Sequence, residues 1–337
     1  MGHADSLYMP LLHVPLVVAY PGTVPPNVRV NATAAAPTST SLAPAATVHV
    51  DLDGAQDIFE GNGWSYSSND DPIFESGQRN FLKFFADNGV RATLFVIARS
   101  LHDPRKRALI EAAVEQGHEI ASHSLTHSYL TRIDRAAKRR EIEESKRLLE
   151  SELGVQVKGF RAPGYRIDLE SLQILADCGY EYDSSAFPTE PYATALKTTV
   201  KTLESPHHPL ANSDFVEWSM PDHRPFPVPF NPSYSLLLGG WLFRAGVDRF
   251  RRSGRPLALL FHLIDLADPL PSARLVGLKS RVFTLSTMGA ARKRVRCQAM
   301  LDQVQSHYRI MTTAQAITEW RATPGAVSSN ASRVLTD

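Results

Sequence analysis

Thr47-Val-His-Val50-Asp51-Leu-Asp53-Gly54 decides how the chain is built. The β-branched run from Thr47 to Val50 reads as a short buried strand, and it ends on two acids and a glycine. Asp51 and Asp53 stand two positions apart, so in an extended chain their side chains point the same way. A strand that delivers carboxylates at its C-terminal end fits a parallel α/β sheet or barrel, where functional groups gather at such ends.

The downstream pattern supports that choice. Gly77 to Asn88 carries Phe81, Leu82, Phe84 and Phe85 at helical spacing and closes at Asn88-Gly89. Ala92 to Ile97 reads as a strand, Pro104 to Gln116 as a helix stopped by Gly117, and Glu119 to Ser122 as a strand delivering His123 and His127. An amphipathic helix follows from Asp134 to Leu153, then a strand from Val155 to Phe160 running into Arg161-Ala-Pro-Gly-Tyr165, a helix from Leu169 to Cys178, and Tyr180 to Asp183. Periodicity fails between Pro188 and Pro232, where Pro225-Phe-Pro-Val-Pro-Phe230 suits the wall of a groove. Leu257 to Phe261 is a buried strand ending at His262, and Ala291 to Trp320 is mainly helical with a last strand near Tyr308 to Met311. The rhythm places Asp51, His123, Arg161, Asp183 and His262 at strand ends.

Upstream, Asn31 to Ala46 is almost wholly Ala, Thr, Ser and Pro, too poor in apolar surface to offset the entropy of ordering. The expected organisation is a segment over 1–46, one α/β domain over 47–323 and a tail over 324–337. The apolar stretch Leu7 to Tyr20 is broken by Pro10 and Pro15 and has no basic leader, so it predicts neither signal peptide nor membrane span, and a cytoplasmic protein is expected. With 36 Lys and Arg against 35 Asp and Glu, no global field selects nucleic acid, and the run Arg292-Lys-Arg294 with Arg296 reads as a solvated helix face. Cys178 and Cys297 form no CxxC pair and read as small buried hydrophobes.

His123 and His127, four apart, would project from one face of a helical turn and bind one ion. Two imidazoles and one carboxylate, with Asp53 as the third ligand, leave a coordination position open for water, and Asp51 beside it would serve as general base. His262 is a candidate general acid, because an imidazole pKa is readily tuned. Arg161 could pair with a carboxylate and hold it ionised. Asp183 could pair with Arg161 or His262, or form an Asx-turn with the serines that follow.

Five segments in this order resemble the polysaccharide deacetylases of the NodB-homology type, carbohydrate esterase family four. They are Asp51-Leu-Asp53, His123-Ser-Leu-Thr-His127, Arg161-Ala-Pro163, Tyr182-Asp183-Ser-Ser185 and Leu260-Phe-His262, spread over residues 47 to 320. The resemblance implies a distorted (β/α) barrel of about seven strands. It makes Asp51 the base, Asp53, His123 and His127 the ligands of a divalent metal (zinc first, with cobalt, nickel or manganese as substitutes), Arg161 the residue orienting the base, and His262 the acid. Where many members have an aromatic residue after the proline, lending a backbone N–H to the oxyanion, this sequence has Gly164 and then Tyr165. The tryptophan that lines the acetyl pocket in many chitin-type members is missing from the fourth segment.

The implied activity is metal-dependent removal of an acyl group, acetyl first, from an amino sugar or glycan. Deformylation or other amide hydrolysis on a lipid- or nucleotide-linked sugar or a cyclic amide stays open. So does a non-catalytic carbohydrate-binding relative. The apolar run Tyr234 to Phe243 reads as a buried helix, or as a peripheral membrane contact for a lipid-linked substrate.

Overall fold

A computed structural model describes residues 43–221 and 230–323. Seven parallel strands curl into the expected distorted barrel in the order β6-β5-β4-β3-β2-β1-β7, and an eighth, β8, pairs with β1. At the centre lies β1 (Ala45–Asp51), buried along nearly its whole length. It starts two residues before the expected boundary, because Ala45 and Ala46 pair with Arg309 and Leu257. Pairing, not side-chain composition, sets that end.

The chain then alternates around the sheet. After the short α1 (Ala55–Gly61), α2 (Pro72–Asn88) starts on an Asp71 cap and stops at Gly89 in the left-handed conformation. β2 (Thr93–Val96), α3 (Pro104–Glu115), β3 (Glu119–Ser122) and α4 (Arg135–Leu153) follow as the periodicity predicts. β4 is only Gly159–Phe160, shorter than expected. The Val157 N–H goes to the Glu150 carboxylate and the Val157 carbonyl to Lys146, so side chains of α4 take the backbone groups a strand would have used. α5 (Leu169–Asp177), the two-residue β5 (Tyr182–Asp183), α6 (Glu190–Ala195) and the two-residue β6 (Val216–Glu217) complete that half.

The run Tyr234 to Phe243 is not one buried helix. Gly239, at φ 110°, divides α7 (Pro232–Leu238) from α8 (Gly240–Ser253) and leaves Leu237, Leu238 and Trp241 exposed. Then come β7 (Leu257–His262), α9 (Gly277–Phe283), α10 (Ala290–Gln305), β8 (Arg309–Met311) and α11 (Thr313–Ala322). The basic run on α10 is not a solvated face. Lys293 is fully buried and donates to the carbonyls of Ile264 and Ala267, its pKa lowered to about 8 by burial. Arg294 pairs with Asp87, and Arg296 donates to the Leu236 carbonyl. Cys297 is buried as expected, whereas Cys178 is only partly so. The readings of Leu7 to Tyr20 and of Pro225 to Pro229 lie outside the described residues, among which no helix is long and apolar enough to cross a membrane.

Both faces of the sheet are buried, so alternate residues serve two cores. Val48 and Val50 face the helical layer with Phe81, Phe84 and Phe261, whereas Thr47, His49 and Asp51 alternate with them and reach Trp218, Thr313 and Arg161. Inside the barrel, Phe95, Ala121, Tyr182, Trp218 and Leu260 pack together. A Cβ at Gly159 would lie 2.0 Å from the Tyr182 ring, so this strand position admits no side chain without moving the tyrosine. Gly159→Ala should therefore cost about 1–3 kcal/mol through overpacking, read as a lower urea midpoint at unchanged slope.

Candidate active site

Register brings the chemistry together. Asp51 is paired with His262 across β1 and β7, Ser122 with Phe160 across β3 and β4, and Phe160 with Asp183 across β4 and β5. The strand ends at Asp51, Ser122, Phe160 and His262 consequently open on one rim, where Asp51, Asp53, His123, His127, Arg161 and His262 converge.

Arg161 occupies the centre with no exposed surface. Its Nη1 donates to Asp51 Oδ1 at 2.6 Å, its Nε to the Ser184 carbonyl at 2.7 Å, and its Nη2 to Ser184 Oγ at 3.0 Å and His49 Nδ1 at 2.7 Å. The guanidinium lies 3.9 Å from the centroid of the Phe95 ring. The expected pairing of Arg161 with a carboxylate is thus made, and the partner is Asp51. One Asp51 oxygen is engaged by the arginine, and Oδ2 faces the site.

Asp53, His123 and His127 form the one three-residue group among the described residues with metal-ligand geometry, their ligand atoms all within 4.8 Å of one another. Asp53 Oδ1 lies 3.5 Å from His123 Nε2 and 3.1 Å from His127 Nε2, buried and without a hydrogen-bond donor. His123 Nδ1 is 2.8 Å from the Arg161 carbonyl, which can only accept, so Nδ1 carries the proton and Nε2 keeps its lone pair for an ion. The donor set fits a divalent metal of the zinc kind. Burial alone would raise the Asp53 carboxyl, but His127 and His123 beside it hold it well below the usual range. Burial lowers His123, whereas at His127 the Asp53 charge outweighs burial and the pKa rises.

The histidine pair is not on a helical turn. Residues 123–129 form an irregular loop in which Ser124 and His127 take φ of 67° and 66°, and these two left-handed residues swing both rings toward Asp53. The loop is pinned from several sides: His123 N–H to the Val96 carbonyl, His127 N–H to Ser124 Oγ, and Thr126 N–H and Oγ1 to the Glu141 carboxylate.

On the other flank, His262 Nε2 is 4.0 Å from Asp51 Oδ2, and the Tyr165 hydroxyl stands between them, 3.1 Å from each. Ser233 donates to Asp265 Oδ1 at 2.7 Å and lies 3.2 Å from His262 Nδ1. With its own proton on Asp265, Ser233 can only accept from Nδ1–H. Asp265 also accepts the His262 backbone N–H, at 2.9 Å. The tyrosine likewise donates to Asp51, so its oxygen is left to accept from His262 Nε2, and each ring nitrogen faces an acceptor.

Two assignments change in the structure. The Tyr165 N–H donates to the Ala162 carbonyl at 2.8 Å, so of the two candidate oxyanion amides only that of Gly164 is left, and Tyr165 contributes its hydroxyl instead. Gly164 and Tyr165 have φ of 58° and 59°, and a Cβ at 164 would meet the Tyr129 ring at 2.8 Å, which explains the glycine at this position. Asp183, the other candidate, stands apart from the reacting groups. Its carboxylate accepts from Ser185 N–H and Oγ, an Asx-turn, and faces Glu217, with burial raising it to about 6 and raising Glu217 well above the usual range. His49, Ser233 and Asp265 carried no sequence signal of their own; only Asp265, close after the His262 motif, stood where a reader would look.

The sequence model of the polysaccharide deacetylase family matches residues 64–182, a stretch holding both histidines, Arg161 and Tyr165. Over that stretch, about a third of the chain, the sequence is similar to that family. A peptidoglycan deacetylase-like protein of Gibberella zeae is 29% identical over 130 residues, which are 34% of this chain and 38% of that protein, so the match spans well under half of the relative. Among solved structures, a putative polysaccharide deacetylase from Mycobacterium smegmatis superposes with a TM-score of 0.57 at 20% identity, covering 90% of this chain and 98% of the other. A probable polysaccharide deacetylase from Pseudomonas aeruginosa and the PuuE allantoinase each give 0.54 at 18% identity, covering 83% of this chain and 91% of theirs. These superpositions establish the fold. Because Glu141 holds the histidine loop through Thr126, Glu141→Ala should weaken the binding of added zinc about 10- to 100-fold in chelator competition, with the fold intact by circular dichroism.

Proposed function

We propose that the chain is a metal-dependent hydrolase that removes an acyl group, acetyl first, from the nitrogen of an amino sugar or glycan. The observation that carries this reading is the placing of Asp51 between a metal-ligand triad on one side and a hydrogen-bonded His262 on the other.

Asp53, His123 and His127 would hold the ion, with zinc first and cobalt, nickel or manganese as substitutes. Bound there, it supplies Lewis acidity, which makes water nucleophilic at neutral pH and polarises a carbonyl. Asp51 takes a proton at Oδ2, the oxygen not bonded to Arg161. Arg161 keeps the carboxylate oriented. His262 gives its Nε2 proton to the departing nitrogen, while Ser233 and Asp265 hold its ring from the Nδ1 side. The free Gly164 N–H is the candidate donor to the oxyanion. Tyr165 keeps base and acid in register before substrate arrives, and its hydroxyl must yield when the scissile amide enters the gap.

Burial of the constellation favours a second reading, hydrolysis of a small or cyclic amide. Asp51 and His123 are 1% and 2% exposed, which suits a compact amide or a sugar conjugate better than a polymer threaded through an open groove. A lipid- or nucleotide-linked sugar is such a conjugate, and Leu237, Leu238 and Trp241 on the helices after Ser233 would give its lipid a peripheral membrane contact.

The zinc-loaded chain should release acetate or formate from a panel of N-acetyl oligosaccharides, nucleotide- and lipid-linked amino sugars and formylated analogues, with a cyclic ureide included to test the second reading. Asp51→Asn and His262→Ala should each lower turnover about 10²- to 10⁴-fold without loss of zinc. His123→Ala should lose the metal itself, and chelation should abolish activity that zinc restores. Ser233→Ala should lower kcat about tenfold with KM little changed, because the acid loses its orientation. Full turnover by Asp51→Asn, or sugar binding without acyl release after reconstitution with zinc, cobalt and nickel, would overturn the proposal.

A further inference from the structure

Arg161 is held from behind by a chain of hydrogen bonds that crosses the barrel interior. Arg161 Nη2 lies 2.7 Å from His49 Nδ1, His49 Nε2 lies 2.8 Å from Thr313 Oγ1, Thr313 Oγ1 lies 2.9 Å from Thr93 Oγ1, and Thr93 Oγ1 lies 2.9 Å from Glu119 Oε2. Glu119 sits at the opposite end of the strands from Asp51, where it also accepts from the Tyr182 hydroxyl and the Ala314 N–H.

Each link has one polarity. A guanidinium only donates, so His49 Nδ1 must be bare and its single proton must sit on Nε2, directed at Thr313. Thr93 already accepts the Thr313 N–H at 2.9 Å and gives its own proton to Glu119, so the Thr313 hydroxyl donates to Thr93. The ring is fully buried, edge-on to Phe95 at 5.3 Å, and reaches no solvent through which it could exchange roles.

The choice of histidine has a physical reason. Three other polar hydrogens of Arg161 go to Asp51 and to the carbonyl and hydroxyl of Ser184. A carboxylate at position 49 would compete with Asp51 for the guanidinium charge, and an apolar side chain would leave a buried N–H without an acceptor other than Met220 Sδ at 2.9 Å. A neutral acceptor does neither.

We propose that His49 is a positioning residue for the reaction: as its Nε2–H tautomer, braced through Thr313 and Thr93 on Glu119, it fixes the Arg161 guanidinium and so directs Asp51. This inference rests on the deacylase reading above.

The test uses the full zinc-loaded chain and its His49→Leu, His49→Asn and Thr313→Val variants. Long-range ¹⁵N–¹H correlation spectra of the wild type should show, among the histidine rings protonated at Nε2 that do not titrate between about pH 5 and 9, one whose resonances His49→Leu removes. His49→Leu should lower kcat about 30-fold, with KM within about threefold and zinc content equal to wild type. His49→Asn, whose Oδ1 can take the place of Nδ1, should recover kcat to within about fivefold, and Thr313→Val should fall between the two. A His49 ring that titrates or carries its proton on Nδ1 overturns the proposal. So does a His49→Leu enzyme within about twofold of wild type, or a His49→Asn enzyme no better than His49→Leu. If wild type releases no acyl group from the whole panel, the functional reading falls and this inference with it; an active wild type that is indifferent to position 49 removes this inference alone.

Discussion

A guanidinium sealed inside a barrel is expensive, and the arrangement of this site follows from meeting that cost. Removing Arg161 and Asp51 from water forfeits several kcal/mol of hydration for each ion, which their mutual attraction offsets only if geometry is good and the remaining hydrogens find acceptors. Both conditions hold. The pair is 2.6 Å apart, and the other hydrogens reach Ser184 and His49 while Phe95 covers one face of the plane. The acceptors come from β1 and the end of β5, and the arginine itself from the end of β4, so it is also a tie between strands that share little regular pairing. β4 and β5 are two residues each, and without this tie their ends would have few reasons to stay in register.

The metal corner is built differently. Asp53 lies just beyond β1, but the histidines are aimed by backbone conformation, with two left-handed residues in one short loop and side chains of α4 anchoring it. Left-handed conformations at non-glycine residues cost free energy and persist only where their surroundings over-determine them. Here the surroundings are the Glu141 carboxylate and the carbonyls of the neighbouring strand. The loop is therefore set before any ion arrives, which lowers the ordering cost of binding.

The strongly patterned parts of the fold were legible in the sequence: β1, β2, β3 and β7 as apolar runs, and α2, α3, α4 and α5 with their caps. β4, β5 and β6 were not, or only in outline, because two residues have no period. The candidate metal ligands were legible by spacing, although the structure brings the histidines together without a helix; four residues of irregular loop bring two rings within 5.0 Å of each other, as a helical turn would. Asp183 looked catalytic because acids at strand ends often are, and a strand-end position does not distinguish a carboxylate facing the rim from one turned into its own Asx-turn. His49 was hidden inside the β-branched run that identified the strand. Its parity with Asp51, two positions on, held the clue that both face the same interior. Ser233 could not be found at all, since it reaches His262 from the first turn of α7, and nothing in the sequence says which strand end that turn faces.

Arg161 serves both halves of the site through different atoms. Its side chain holds Asp51 and rests on His49, while its main-chain carbonyl fixes the tautomer of His123. The carbonyl belongs to the backbone at the end of β4 and is held by the Arg161 N–H bond to the Ser122 carbonyl, not by the guanidinium. The His123 tautomer and the Asp51 orientation are thus mechanically joined at one residue yet energetically separable, because a change of side chain leaves the carbonyl in place. A lysine there would retain a charge near Asp51 but would lose the planar fork that reaches Asp51, Ser184 and His49 at once, and the acid–base half would loosen while the metal half stood.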